Sequence, residues 1–496
     1  MALSRREFFR VLGAGTALMA LPSCLWTQTT QKTNFVFFLV DDLGWADVGF
    51  NGSKFYETPN IDRLAQQGMR FTDAYAASPV CSPTRASILS GKYPARMQTT
   101  DWFGAPQPDT IYSDPTMMFK LLKPAPYVEH LPLSEITIAE AMKACGYKTF
   151  IAGKWHCGDE GFYPEDQGFD INKGGWEAGS PVGGYFAPYV NPRLEQGPDG
   201  EYLTDRLAAE TVSFINQNRD EPFLVYLSFY AVHIPLQAKQ DMIQKYKIKA
   251  RKLGWPCQFT LKDGCLVRQV QGNATYAAMI ESVDQAVGRV LDTLDELGLA
   301  ENTVIIFMSD NGGLSTAEGW PTSNLPLRAG KGWLYEGGVR EPMIIKWPNV
   351  TTPSSTCRTP VTSTDFYPTI LEMAGLPLMP QQHMDGESLV PLLKQSGTLK
   401  RDAIFWHYPH YGNQGGQPAA AVRAGDWKLI EFFEDGRLEL YNLKDDIGEG
   451  HNRAKEMPEK VAELQTTLHQ WFITVDAQMP GPNMLNIINW FKQGKP

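Results

Sequence analysis

Two carboxylates, Asp41 and Asp42, directly follow the apolar run NFVFFLV (34–40), and Asp310-Asn311 directly follow a second run, TVIIFMS (303–309). Adjacent residues of a strand point to opposite faces. Asp41 and Asp42 can therefore serve one site only where the chain leaves the sheet. That place is the carboxyl end of a strand, where open α/β sheets bind their ligands. Three carboxylates and an amide oxygen form a hard, all-oxygen donor set suited to Ca²⁺ or Mg²⁺. Either pair alone reads more readily as a turn or helix cap. The same chemistry at the ends of two core-like strands favours a metal centre.

Cations and a thiol collect on comparable segments. GKWHCG (153–158) sets Lys154 and His156 two apart, on the same side if the segment stays extended. His233 follows the apolar run PFLVYLSFY (222–230), and Lys331 lies between glycines in RAGKGWLYEGGVREP (328–342), where a backbone can approach a ligand closely. Cys81 stands in PVCSPTR, with Arg85 four residues on. The seven cysteines, at 24, 81, 145, 157, 257, 265 and 357, show no zinc-type CxxC spacing. Cys257 and Cys265 flank a short loop and could pair in an oxidising compartment. His130, His383, His451 and His469 read as structural histidines.

The elements that must position these groups alternate in type. Strand-like runs at 34–40, 147–153, 222–230 and 303–310 are interleaved with helical patterns at 137–146 and 276–297. This is the pattern of an α/β domain with a mainly parallel central sheet between helices. From about residue 400 the texture changes. Residues 420–442 read as a hairpin broken at Asp435-Gly436, and 458–472 as an amphipathic helix with proline in its first turn. The expected division is 27–398 for the large domain and 399–496 for a small α+β domain.

Residues 1–26 read as an export signal: Arg5-Arg6, Phe8-Phe9 and a short apolar stretch resemble the twin-arginine type. Leu21-Pro22-Ser23-Cys24 resembles a lipoprotein cleavage box, with Pro22 a poor fit, and makes Cys24 a candidate lipid anchor. No later run is apolar enough to span a bilayer. The net charge of −10 argues against a nucleic-acid partner but leaves room for an anionic substrate in a local basic pocket.

CSPTR, the following SG and Arg96 resemble the signature of type I sulfatases, in the alkaline phosphatase superfamily. VDDLGWADVG, GKWH, SFYAVH, SDNG and GKGWLYEGGVREP resemble that family's other blocks, in its order, and TDFYPTILEMAG, DGESLVPLL and AVRAGDWKLI extend the match over nearly the whole chain after the leader. Thr84 stands where serine is commoner and Cys157 where leucine is usual. The resemblance implies an alkaline-phosphatase-like large domain and a small four-stranded antiparallel sheet with a helix. It implies that a maturation enzyme oxidises Cys81 to formylglycine, whose hydrate attacks sulfur through one hydroxyl and later expels sulfate through the other.

By the same resemblance, Asp41, Asp42, Asp310, Asn311 and the residue-81 side chain hold the metal, Ca²⁺ rather than Mg²⁺. Arg85 holds the formylglycine, and Lys154 and Lys331 bind sulfate. His156 is the base for elimination, and His233, with Lys331, is the acid for the leaving alcohol. The substrate expected is a sulfated carbohydrate, cleaved in exo fashion by an enzyme of the bacterial periplasm or outer-membrane surface. The aromatics of the Gly-rich loop 158–192 (Trp176, Tyr185, Phe186, Tyr189) are the expected sugar platforms. A formylglycine-dependent phosphatase or phosphonate hydrolase, and an inactive carbohydrate-binding protein on the same fold, stand as alternatives.

Overall fold

The run NFVFFLV forms β1 (Asn34–Val40), with every residue buried, as a strand covered on both faces requires. The computed structural model describes residues 32–486, so the leader read in residues 1–26, with Cys24, lies outside the described residues. Seven further strands join β1 in one sheet: β2 (Met69–Phe71), β3 (Lys148–Gly153), β4 (Ile171–Lys173), β5 (Phe223–Ser228), β6 (Thr303–Ser309), β7 (Met343–Lys346) and β8 (Ser355–Cys357). Their order is β8-β2-β7-β6-β1-β5-β3-β4. β7 runs against both of its neighbours.

Register matters most for the site. Val40 pairs with Ser309, Leu39 with Ser228, and Gly153 with Ser228, all in parallel. The carboxyl ends of β1, β3, β5 and β6 are therefore level, and the residues that follow them emerge together.

The two faces of β1 feed two cores. Val36, Phe38 and Val40 pack with Leu207 and Phe214 of α4 (Leu203–Gln217) and with Val283 and Val287 of α5 (Ala274–Glu296). Phe35, Phe37 and Leu39 pack on the other side with Ile138 and Met142 of α3 (Ile138–Ala144) and Ile370 of α6 (Phe366–Met373). Local signals set the helix ends. Thr137 and Glu140 form a capping box at α3, and Asn273 caps α5 through the Thr275 and Tyr276 amides. Asp284 of α5 accepts from the amides of Asn60 and Ile61 at 2.9 and 2.8 Å, capping α1 (Pro59–Gln67) from a distant part of the chain.

The second sheet is antiparallel, β9 (Ala403–Tyr408), β10 (Ala419–Ala424), β11 (Trp427–Phe432) and β12 (Leu438–Asn442), in that order. The single hairpin read over 420–442 is corrected: the segment holds three strands, with a second turn at Gly425-Asp426. Ala424 pairs with Trp427 across that turn and Gly425 takes φ +58°, the conformation a two-residue hairpin asks of its first central residue. One face of the sheet packs on α7 (Pro458–Val475) through Leu464, Leu468 and Trp471. The other packs on Trp333, Tyr335 and Val339, just beyond Lys331. The pairing considered for Cys257 and Cys265 is not formed, and both thiols are free. Cys265 lies opposite Lys262 in a short hairpin whose register puts Phe259 opposite Arg268, so Cys257 falls beyond the ladder's end.

Candidate active site

Asp41 and Asp42 lie just past β1, where the chain turns sharply: Asp42 has φ +60°. That left-handed step is what lets neighbouring carboxylates converge rather than point to opposite faces. One oxygen each of Asp41, Asp42 and Asp310 lies within 4.8 Å of the others, and all three residues are buried. Asn311 donates through Nδ2 to Asp42 Oδ1 at 2.8 Å. Among the described residues, Asp41 Oδ1 and Asn311 Oδ1 are buried oxygens with no hydrogen-bond partner. Buried acceptors left bare are costly. Orphaned oxygens beside three clustered carboxylates fit a hard divalent cation.

Three cations surround the carboxylates. Arg85 grips Asp310 Oδ2 through Nε at 2.8 Å and Nη2 at 2.7 Å, and its Nη1 donates to Ser228 Oγ at 2.6 Å and the Lys154 carbonyl at 3.1 Å. Lys154 Nζ lies 2.7 Å from Asp41 Oδ2, and Lys331 Nζ 2.7 Å from Asp42 Oδ1. Burial raises the Asp41 carboxyl, with Lys154 opposing and Asp310 and Asp42 reinforcing the rise. Burial also acts on Asp42, but Lys331, His233 and Lys154 together reverse it and hold that carboxyl below the usual range.

Cys81 is the first residue of α2 (Cys81–Ser90), buried, with its Sγ 3.4 Å from His156 Nδ1. Burial raises the thiol pKa. His156 reaches Cys81 from a backbone at φ +52°, so the condition that the segment stay extended through residue 156 is not met. Its Nε2 sits 3.3 Å from the Phe103 carbonyl. Burial, then the charges of Lys154 and Arg85, push its pKa well down, leaving a neutral imidazole. A Cβ on Gly179 would lie 2.4 Å from the ring's Cε1, so the absence of a side chain there is what admits the ring. His233 lies 3.8 Å from Asp42 Oδ2, its Nδ1 2.8 Å from the Ile234 carbonyl. Burial and Lys331 lower its pKa to about 3. Asp41, Asp42, Cys81, Arg85, Lys154, His156, His233, Asp310, Asn311 and Lys331 thus meet at one end of the sheet.

Above them opens a cavity of 470 Å³ lined by Cys81, His156, His233 and Lys331, and also by Trp102, Phe103, Glu177–Ser180, Glu318, Asn413 and Gln414. The long loop does form part of the wall, through 177–180. Its expected aromatic platforms are corrected: Tyr185 and Tyr189 are buried in the core, and Trp176 and Phe186 pack against it. The aromatic wall is instead Trp102 and Phe103. Sequence reading missed these, Gly179 and the Glu318–Asn413–Gln414 group, because none adjoins a strand end or a motif.

The Sulfatase family profile matches residues 33–376, and the profile of the N-sulphoglucosamine sulphohydrolase C-terminal region matches residues 329–478. A "Sulfatase" of Formosa agariphila is 33% identical, over 96% of this chain and 96% of its own. Human arylsulfatase A is 30% identical, over 88% and 85%. N-acetylgalactosamine-6-sulfatase of Mus musculus is 30% identical, over 85% and 76%. The crystal structure of Ps i-CgsB in complex with k-i-k-neocarrahexaose superposes with a TM-score of 0.73 at 31% identity, covering 94% of this chain and 98% of that one. A thiol at a helix start, set among clustered carboxylates and cations on that fold, has one consistent reading: the chain belongs to the sulfatase family and is a sulfatase.

Proposed function

We propose that this sulfatase releases sulfate from sulfated carbohydrates, with Cys81 oxidised to formylglycine and Ca²⁺ held by Asp41, Asp42, Asp310 and Asn311. The observation that carries the reading is the convergence of three buried carboxylates and three cations at the strand ends close to Cys81, which with Lys331 lines the cavity. The carbohydrate assignment is supported by the N-acetylgalactosamine-6-sulfatases and by the relative solved with a neocarrahexaose.

The bound cation would act as a Lewis acid on the nucleophilic oxygen at residue 81. The oxidised and hydrated side chain supplies two hydroxyls on one carbon, one to attack sulfur and one to expel sulfate. Lys154 and Lys331 hold the sulfate oxygens as point charges. Arg85, clamped on Asp310 and Ser228, fixes the geometry beneath residue 81. Neutral His156, with Nδ1 toward residue 81, takes the proton whose loss expels sulfate. His233 and Lys331 deliver a proton to the leaving oxygen, and an anionic ester arriving beside His233 raises its pKa toward that task.

Cys81 is only 3% exposed in the folded chain, which supports its modification before folding by a maturation enzyme. The leader composition supports export to the periplasm or attachment through Cys24 at the outer membrane. The change of sheet supports a domain boundary near residue 399. The test is a screen of defined sulfated oligosaccharides against aryl sulfate and aryl phosphate, reading sulfate or phosphate release. A sulfated sugar turned over best supports the proposal. A steroid or phenolic sulfate turned over best, with no sugar cleaved, refutes the substrate class, and preferential phosphate release refutes the chemistry.

A further inference from the structure

The cavity's floor and rim carry opposite charge. Lys331 lies at the floor. The rim holds two carboxylates, Glu318 and Glu177. Glu318 Oε1 accepts from Asn413 Nδ2 at 2.8 Å and from Gln414 Nε2 at 2.6 Å. A carboxylate has only acceptor atoms, so this contact fixes which end of each amide faces it. Oε2 carries no such bond among the described residues. Glu318 also has φ +53°, a conformation unfavourable for a residue with a side chain. Strain of this kind persists where the surroundings over-determine it, as at ligand clamps. The Glu318 charge is close enough to act on Lys331. On another wall, Glu177 is exposed and accepts from the Tyr163 hydroxyl at 2.8 Å. Trp102, 36% exposed, gives the same cavity a flat apolar face.

Given the carbohydrate reading above, on which this rests, we infer that Glu318 and Glu177 select sugar rings carrying one sulfate and uncharged neighbouring hydroxyls. The scissile sulfate meets Lys331 at the floor. A neighbouring hydroxyl donates to Glu318 Oε2, whereas a second sulfate or a carboxylate there faces a fixed anion in a partly enclosed site. Like charges so placed discriminate strongly.

The experiment compares kcat/KM for monosulfated galactose and N-acetylgalactosamine isomers with counterparts bearing a second sulfate on the adjacent hydroxyl. The enzymes are the mature wild type, Glu318→Gln and Glu177→Gln. Wild type is expected to favour the monosulfated member by about tenfold or more, and each variant to shrink that ratio severalfold by improving on the disulfated member. Raising salt from about 20 to about 500 mM should narrow the wild-type ratio and leave the Glu318→Gln ratio flatter, because screening acts on charge. Glu177→Gln alters an exposed side chain, so it keeps the test standing if Glu318→Gln fails to fold. Equal wild-type turnover of both members, or ratios unmoved in both variants, overturns the inference while the carbohydrate reading stands. Release of sulfate from an aryl ester with no sugar cleaved overturns both.

Discussion

At the scale of single residues, the site depends on Cys81 lying 3.4 Å from a neutral His156. Cys81→Ala should be inert, and mass spectrometry of the peptide containing Pro83 should show formylglycine in active enzyme. Full activity from a preparation holding only the thiol would end the proposal. Replacing His156 by alanine should lower turnover by about 10²–10⁴, the usual worth of a positioned acid or base. If His156 acts in elimination, that variant should accumulate sulfated enzyme after one turnover. Activity lost with no covalent sulfate would move His156 to another role. Gly179→Ala tests the same ring from behind, since the added carbon would meet Cε1 at 2.4 Å. Its kcat should fall at least tenfold, because small misplacements of a reacting group are expensive. An unchanged kcat would mean that the ring moves without cost.

Between elements, the segment 99–105 links α2, the cavity wall and the second sheet. Phe103 receives its place from Ser82 Oγ on α2 and offers its carbonyl to His156. Asp101 accepts from the Tyr408 hydroxyl of β9 at 3.0 Å and lies 3.4 Å from His410 Nδ1. Burial lifts its pKa to about 8, and a protonated Asp101 would give His410 Nδ1 the donor it otherwise lacks among the described residues. A carboxyl raised this far keeps a proton in the folded state that the unfolded chain, near 3.8, releases. Its contribution to stability is therefore complete below about pH 4 and lost as pH rises through about 8. Asp47, raised to about 7, and Asp284, raised to about 6, act in the same direction. His407, lowered to about 4, opposes them only below its unfolded value of 6.5. Asp101→Asn should consequently flatten the decline of Tm between pH 6.5 and 9, read by calorimetry across buffers. Parallel Tm profiles for variant and wild type would show that Asp101 does not titrate there.

For the molecule as a whole, a cation held by Asp41, Asp42 and Asp310 would join β1 to β6, and anything that binds only the folded chain stabilises it by mass action. Stripping the mature enzyme with a chelator should lower Tm by several degrees and abolish sulfate release, with Ca²⁺ restoring both. Restoration by Mg²⁺ but not Ca²⁺ would reverse the ion assignment, and a Tm indifferent to chelation would argue against a site there. The strand ends that build this centre were readable in the chain itself. A strand buried on both faces must be continuously apolar, and the polar residues that break the run mark where it leaves the sheet. Asp41, Asp42, Asp310, Lys154 and His233 were all located by that rule, and Cys81, Arg85 and Lys331 stood out by residue type and setting. The second hairpin turn at Gly425 was missed because its two-residue break hardly interrupts the apolar texture. The loop aromatics misled for a related reason: a tyrosine's composition is the same whether its ring faces sugar or core, and Tyr185 is fully buried. Residue type and local order thus marked the groups that collect at the strand ends, and their expected roles followed only from the family resemblance. The cavity's walls, from Trp102 to Glu318 and Asn413, were decided only by tertiary packing, because they come from segments far apart in sequence whose meeting no local pattern records.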